Sequence, residues 1–303
     1  MQRAKWLDTH VHVSDIGSDG KTRPHLLDDL LKVLDGCDAD LRWVISPDGH
    51  WLSEMKNDPG AMLRASQFIH GLVRRAPGRL YGACMVNTNF PDESLRVMEK
   101  AFGEWGFVML GELVQYILNY YMDTDASERV VREAARLGMP VQVHISTSNS
   151  AQGQFKSGNE ELEDMFGIVE RVPEAKYILA HFVGMPKDNP PVVDAYLGMI
   201  EKRYGRWPEN FWAEIRDFSS PGVRSVLARV PHTRLIAGTD WVSRVGPPFL
   251  PYGVLFPVTS AADNPSPPCV ASMTSFLKEK GATEGAVSQI GFENAAKLLN
   301  LKA

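Results

Sequence analysis

The sequence has few of the residues that disulfide-bonded proteins and thiolate metal sites require. It contains three cysteines in 303 residues, far apart and without a Cys-x-x-Cys pair. An odd number of widely spaced cysteines indicates neither a disulfide framework nor a zinc site built from thiolates. We therefore interpret Cys37, Cys84 and Cys269 as small apolar residues of the interior.

Long apolar runs and an excess of positive charge are also missing. No run approaches the length of a membrane span and the N-terminus has no charged-then-apolar leader, so we expect a cytoplasmic protein that does not bind membranes. The 32 basic and 37 acidic residues give a net charge of −5, which does not suit binding to nucleic acid. The expected partner is a small-molecule substrate, and the sequence leaves open whether the chain forms a homo-oligomer.

What the sequence does contain is a repeated alternation of short apolar runs with stretches of helical spacing. Such an alternation is typical of a parallel sheet buried on both faces. Eight units predict an α/β fold of the (β/α)8 TIM-barrel type, with an open doubly wound sheet as the alternative. No repeat or linker divides the chain, so we expect one domain over residues 1–303. The runs are WLDTHVHV from Trp6, LRWVISP from Leu41, LYGACMVN from Leu80, FVMLGEL from Phe107, PVQVHIS from Pro140, KYILAHF from Lys176, NFWAEIRDF from Asn210 and TRLIAGTDW from Thr233.

Capping residues mark the ends of two predicted helices. The leucines of HLLDDLLKVLDG have helical spacing and predict a helix that ends near Gly36. In DASERVVREAARLGMP we predict Asp125 as the N-cap, Glu128 as its partner three residues later, and Gly138 as the C-terminal cap.

Two histidines in the stretch WLDTHVHVS can be explained in two ways. In an extended segment His10 and His12 point to the same side, either to hold a metal ion or as polar residues on the solvent side of a strand. Three further polar residues interrupt apolar runs near their C-terminal ends, namely His144, His181 and Asp240. In a closed barrel all five side chains meet at one mouth, which favours the metal site.

This ordered set resembles the amidohydrolase superfamily, in which His-x-His lies on strand one, histidines lie on strands five and six and an aspartate lies on strand eight. The similarity extends from DTHVHV to the closing GFENAAKLLNL and looks closest to the branch of metal-dependent hydrolases, lactonases and non-oxidative decarboxylases. The resemblance implies that His10, His12, His144 and Asp240 bind a first metal ion. It also implies that His181 either binds a second ion or donates a hydrogen bond to the substrate.

Ligand chemistry agrees with this assignment. Imidazole nitrogens and a carboxylate suit Zn²⁺, with Mn²⁺, Co²⁺ or Fe²⁺ as replacements. A carboxylate that contacts both the metal and its water can also take the proton of that water, so Asp240 is the expected catalytic residue. His181 is the second candidate for that role.

The fourth run departs from one common pattern of the superfamily. Members with two metal ions often carry a carbamylated lysine there, but GFVMLGEL has none. Its Glu112, in GEL, resembles the strand-four glutamate of TatD-type deoxyribonucleases, which is a metal ligand. Glu112 is thus either a ligand, which gives two ions, or a rim residue that orients a neighbour or pairs with Arg216, which gives one.

Substrate-binding residues are less distinctive. Arg216 and Arg244 could present a two-pronged donor to a substrate carboxylate. His50 is expected near the mouth, and Trp241 either forms a wall of the pocket or belongs to the core. Long segments at residues 147–160 and 242–268, after the fifth and eighth runs, are predicted to be functional loops.

These observations favour a metal-dependent hydrolase whose activated water attacks a lactone, ester or amide bond of a small carboxylated molecule. The alternative is a mononuclear zinc-dependent, non-oxidative decarboxylase of an aromatic or unsaturated carboxylic acid. A third hypothesis is a barrel that has lost its chemistry and serves as a binding protein, but the intact ligand set argues against it.

Overall fold

The computed structural model describes residues 3–17, 20–146, 157–184, 191–242 and 269–301. In these ranges all eight predicted runs form strands, and the eighth resumes after a break as a short ninth strand. The strands are β1 (Lys5–Val13), β2 (Asp40–Pro47), β3 (Leu80–Cys84), β4 (Met109–Leu113), β5 (Val141–His144), β6 (Tyr177–Val183), β7 (Phe211–Ile215), β8 (Leu235–Ala237) and β9 (Trp241–Val242).

These strands form one parallel sheet in the order β8-β7-β6-β5-β4-β3-β2-β1-β9. Although β9 closely follows β8 in the chain, it pairs with β1 at the other end of this order, with Trp241 opposite Val11. The eighth unit therefore joins the two ends of the sheet, and the barrel is nearly closed. The predicted (β/α)8 TIM barrel is confirmed, and the open doubly wound sheet is wrong.

The helices lie between successive strands and after the last one. The first ends at Gly36 as predicted, and Gly138 has a φ of 73°, the left-handed conformation common after a helix. The predicted N-cap at Asp125 is wrong, because the Thr124 hydroxyl accepts the hydrogen bond from the Ser127 amide and Asp125 is the first helical residue. The helices are α1 (Leu26–Gly36), α2 (Gly49–Met55), α3 (Gly60–Val73), α4 (Pro91–Gly103), α5 (Gln115–Leu118), α6 (Asp125–Arg136), α7 (Gly158–Arg171), α8 (Pro191–Tyr204), α9 (Gly222–Arg229), α10 (Val270–Glu279), α11 (Glu284–Ser288) and α12 (Asn294–Leu298).

Apolar side chains fill two separate volumes. In β2, Trp43 and Ile45 belong to the large cluster that contacts the helices, whereas Val44 between them belongs to a smaller cluster. We infer that the smaller cluster lies inside the barrel, because seven strands each contribute to it and α12 closes it. Its strand members are Leu7, Val44, Ala83, Met109, Ile178, Trp212 and Ile236.

Three further predictions concern the cysteines, membrane-spanning helices and the two long segments. All three cysteines are free, and Cys37 and Cys84 are buried. Among the described residues, no helix is long and apolar enough to cross a membrane. The predicted functional loops at residues 147–160 and 242–268 lie almost entirely outside the described ranges, and so does Arg244.

Candidate metal centre

The two histidines of β1 direct the same ring nitrogen into the barrel mouth. The His12 Nδ1 lies 2.8 Å from the Pro47 carbonyl oxygen, and the His10 Nδ1 lies 2.7 Å from a carboxylate oxygen of Glu214. Each Nδ1 therefore carries a proton, and Nε2 is the nitrogen that becomes available to a metal ion once its own proton is lost. The two Nε2 atoms are 3.0 Å apart and both rings are buried, which is the arrangement of a shared cation site rather than of a solvent-facing strand.

Asp240 completes a first ligand group with these histidines. Its Oδ1 lies 3.3 Å from the His12 Nε2 and 3.7 Å from the His10 Nε2, and its Oδ2 lies 3.2 Å from the Arg216 Nη2. The sequence places Asp240 at the end of the eighth strand, but β8 ends at Ala237 and Asp240 lies in the break before β9, with a φ of 54°. The break turns its carboxylate towards the histidines.

Glu112, His144 and His181 form a second ligand group. The His144 Nδ1 lies 2.9 Å and the His181 Nε2 lies 3.1 Å from the Glu112 Oε1, and the two nitrogens are 3.0 Å apart. Each of the two groups has donor atoms within 4.8 Å of one another, as holding one metal ion requires.

Glu112 faces both groups. While its Oε1 contacts the second group, its Oε2 lies 3.5 Å from the Nε2 atoms of both His10 and His12. Glu112 thus lies between the two groups. Arg216 lies in the same cavity and pairs with Asp240, and whether Glu112 acts as a ligand or as a rim residue stays a prediction.

Burial and charge act against each other in this cluster. Burial opposes protonation of His12, yet hydrogen bonds with Asp240 and Glu112 raise the pKa of His12 to about 9. Burial likewise opposes ionisation of Asp240, but the positive charges of Arg216 and His10 hold the pKa of Asp240 well below its ordinary value. A mixture of protonated imidazoles and ionised carboxylates results, in which a metal cation could replace the protons.

His181 differs from the other histidines. Burial, together with the positive charge of His144, lowers the pKa of His181 below its ordinary value. Its backbone φ is 36°, a conformation that residues other than glycine seldom adopt. His181 is therefore a neutral imidazole at pH 7, which suits a metal ligand or a proton acceptor.

Below these ligands lies Glu214, which sequence reasoning missed. It is fully buried in β7 and accepts the hydrogen bond from the His10 Nδ1. The signal was available, because FWAEI places an acid in the middle of an apolar strand, and a buried carboxylate requires hydrogen-bonding partners. Thr9, the neighbour of His10 in β1, also lies 2.8 Å from Glu214 Oε1, at the point where the register of β1 with β2 is irregular.

A cavity of about 270 Å³ lies over the two ligand groups. One part of its wall is apolar, with Leu52, Val114 and Ile117, and the Tyr116 ring packs 4.7 Å from the His144 ring. Arg216 also lines the cavity.

Two predicted substrate residues are not among the residues that line this cavity. His50 lies between two lining residues of the β2–α2 region, but its ring faces Glu54 at 3.4 Å. Trp241 is buried and packs on Trp43 at 5.2 Å. Their roles in substrate binding stay predictions.

The donors present fit a divalent transition ion. Four imidazoles and two carboxylates are the nitrogen and oxygen ligands that Zn²⁺ and its neighbours take in proteins. The outer ring nitrogens of His10 and His12 are held by acceptors, as is usual for histidine ligands.

Comparison with known proteins agrees with the fold. The model of a family described as amidohydrolase matches residues 7–301. No curated protein sequence matches the chain.

Three solved structures illustrate the similarity. The 5-carboxyvanillate decarboxylase of Sphingomonas paucimobilis is 13% identical, with a TM-score of 0.67 and 100% of both chains covered. A dihydroxybenzoic acid decarboxylase from Polaromonas, with bound manganese and the inhibitor 2-nitroresorcinol, is 15% identical, with a TM-score of 0.65 and coverage of 100% of this chain and 98% of that one. The 4-oxalomesaconate hydratase of Rhodopseudomonas palustris is 15% identical, with a TM-score of 0.64 and coverage of 97% and 95%. At these identities the likeness shows a common fold.

Proposed function

Because the chain belongs to the amidohydrolase family, we propose that it is a metal-dependent hydrolase of a lactone, ester or amide bond in a small carboxylated molecule. The observation that carries this proposal is the position of Glu112, with one oxygen towards His144 and His181 and the other towards His10 and His12. A carboxylate between two ligand groups supports a pair of ions, which favours hydrolysis over single-ion chemistry.

The metal would be held by His10, His12 and Asp240 on one side and by His144 and His181 on the other, with Glu112 shared. We propose Zn²⁺ as the native ion, with Mn²⁺, Co²⁺ or Fe²⁺ as replacements. A divalent ion bound there lowers the pKa of a water molecule towards neutrality and polarises the carbonyl to be cleaved.

Proton transfer falls to Asp240. Its Oδ1 faces the ligand histidines and its Oδ2 is held by Arg216, so the carboxylate is oriented before the substrate arrives. It takes the proton from water and gives it to the leaving group. The neutral His181 lies in the same cavity and is the alternative acceptor.

The cavity limits the size and polarity of the substrate. About 270 Å³ accommodates a small molecule, whose apolar part packs against Leu52 and Ile117. The guanidinium of Arg216 is nearly buried and its Nη2 pairs with Asp240, so a substrate carboxylate would share it with that residue.

Metal content and activity test the proposal. We expect wild-type protein to retain two equivalents of a divalent ion and to lose hydrolysis of small lactones, esters or amides on chelation, with recovery on adding metal back. The Glu112→Gln variant should hold fewer equivalents, whereas Glu99→Gln, an exposed control, should match wild type. Unchanged metal stoichiometry in Glu112→Gln would contradict the bridge.

A decarboxylase is the second candidate, since two structures with this fold are decarboxylases of aromatic acids. An arginine beside an apolar cavity wall also suits an aromatic carboxylate. CO₂ release from a panel of hydroxybenzoates, measured beside the hydrolysis assays, separates the two candidates. One metal equivalent together with CO₂ release would favour the decarboxylase.

A further inference from the structure

Glu214 is a buried acid of β7 whose two oxygens lie within hydrogen-bond distance of four donors from other strands. Its Oε1 accepts from the Thr9 hydroxyl at 2.8 Å and from the Gln142 side-chain amide at 2.9 Å. Its Oε2 accepts from the His10 Nδ1 at 2.7 Å and from the backbone amide of His181 at 2.8 Å. The single proton of the Thr9 hydroxyl is shared with the Ala237 carbonyl oxygen, 2.9 Å away, whereas the other three donors point at Glu214. These contacts hold the carboxylate among protein donors.

The two oxygens of Glu214 contact different kinds of residue. Oε1 contacts residues that belong to neither ligand group, whereas Oε2 contacts one member of each group, His10 and His181. The bond to His10 keeps the proton on Nδ1 and leaves Nε2 as the donor atom. The bond to His181 fixes the amide of a residue whose φ of 36° requires support from its surroundings.

We infer that Glu214 is a positioning residue that sets the spacing between the two ligand groups by holding His10 and His181 on a single oxygen. This inference rests on the proposed metal-dependent function. It extends that function to a residue that touches neither metal nor substrate.

Close packing keeps Glu214 in this position. A Cβ at Gly238 would lie 2.1 Å from the Glu214 Cδ, so only glycine at this position leaves room for the carboxyl group. The Gly238 amide also donates to the Ile215 carbonyl at 3.1 Å, which draws the end of β8 against β7.

The Glu214→Gln variant tests the inference because it preserves size but replaces one acceptor oxygen with a donor. At least one of the four donors then loses its acceptor. We expect the Kd for Zn²⁺, measured by chelator competition, to rise about 10–100-fold. We also expect the visible spectrum of Co²⁺-substituted protein to change, because the ligand geometry shifts. The control Gln142→Met removes a donor to Oε1 only, and it should keep the wild-type Kd and spectrum.

The outcomes separate this inference from the proposed function. If wild-type protein binds neither ion, the proposed function fails. If wild type binds and a folded Glu214→Gln variant has the same Kd and spectrum, the positioning role is overturned. If the variant does not fold, ¹⁵N-histidine spectra of Zn²⁺-loaded wild type decide the question. The inference requires a proton on the His10 Nδ1, and its absence there would overturn it.

Discussion

Asp240 has an unfavourable backbone conformation, and hydrogen bonds between the adjacent Thr239 and Asp8 hold this part of the chain in place. Its φ of 54° costs of the order of 1 kcal/mol or more in a residue other than glycine. Asp8 offsets this cost by accepting hydrogen bonds from the Thr239 amide and hydroxyl, at 2.9 and 2.6 Å. Burial raises the pKa of Asp8 to about 7, against the lowering effect of these bonds. The backbone that carries the proposed base is thus fixed from β1.

Replacing this carboxylate with an amide should separate binding from proton transfer. Asp240→Asn keeps the shape and one oxygen near the histidines, so we expect a folded protein with weakened metal affinity. Its kcat should fall by about 10²–10⁴, the contribution of a general acid-base group. Steady-state kinetics with metal-saturated enzyme measure this effect, and Asp92→Asn on the surface is the matched control.

Near-native kcat in metal-loaded Asp240→Asn would rule out its proton-transfer role. The neutral His181 would then be the base to test, with His181→Asn as the variant.

The candidate metal ligands can be predicted from the sequence more easily than the residues that hydrogen-bond to them and fix their positions. His10, His12, His144, His181 and Asp240 interrupt apolar strands at corresponding heights, and the barrel brings them together. Glu214 went unrecognised because its partners come from three other strands, and pairing across a barrel is not visible in a linear sequence. The position of His50 after the second strand predicts that it lies at the mouth, but its ring faces Glu54, one turn later on the same helix.

Helix α10 is connected to the N-terminal part of the barrel by hydrogen bonds to an acidic side chain, Asp38. The Asp38 carboxylate, between α1 and β2, accepts from the Val270 amide at 2.7 Å and from the Ala271 amide at 2.8 Å. These are unsatisfied donors of the first turn, where a negative charge also interacts favourably with the helix dipole. Burial acts to raise the pKa of Asp38, but these backbone bonds outweigh it and the pKa is lowered.

Asp38→Asn should therefore destabilise the protein by about 0.5–1 kcal/mol. Because the folded pKa is depressed, the contribution of Asp38 is present above its ordinary pKa of 3.8 and is lost as the pH falls through the folded value. Urea unfolding at pH 7 and at pH 3 measures the difference, which should shrink at pH 3. Glu99→Gln, exposed and beyond the first turn of α4, is the control. An equal loss of stability in that control would show that the Asp38 contact contributes nothing specific.

Element boundaries were predicted less well than element types. Each apolar run became a strand, but the run from Phe107 begins as a strand only at Met109, and the run from Thr233 is split after Ala237. Gly238 marks that split, and the reason it must be glycine is the Glu214 side chain, which tertiary structure places there.

For the molecule as a whole, metal and protons compete for the same site. The pKa of His12 in the metal-free protein is about 9, and that of His10 is also raised by Glu214 and Glu112 against the effect of burial. Because the pKa of these histidines is higher in the folded than in the unfolded protein, their protonation stabilises the metal-free fold. This contribution is complete below the ordinary pKa of 6.5 and is lost as the pH rises towards 9. Metal binding requires the same nitrogens without their protons, so its stabilisation increases over that interval.

We therefore expect the Tm difference between Mn²⁺-loaded and metal-free protein to grow from pH 6.5 to pH 8.5. At a fixed free metal concentration that is 100 times the Kd at pH 6.5, binding contributes about 2.7 kcal/mol at that pH and more at pH 8.5, where the Kd is lower. Differential scanning calorimetry with and without chelator measures the difference. A gap that stays constant or narrows with rising pH would contradict protonated ligands in the metal-free state.

The pairing of β9 with β1 also determines how early in protein synthesis the candidate metal centre can form. Asp8 and Thr239, which hydrogen-bond beside the first ligand group, are 231 residues apart in sequence. A ribosome-bound chain that has emerged only as far as β6 already carries Glu112, His144 and His181, yet the Asp240 needed to complete the first group is still missing. Loading of both groups is therefore a late event in biogenesis, and a nascent chain cannot complete the site before its last strand leaves the exit tunnel.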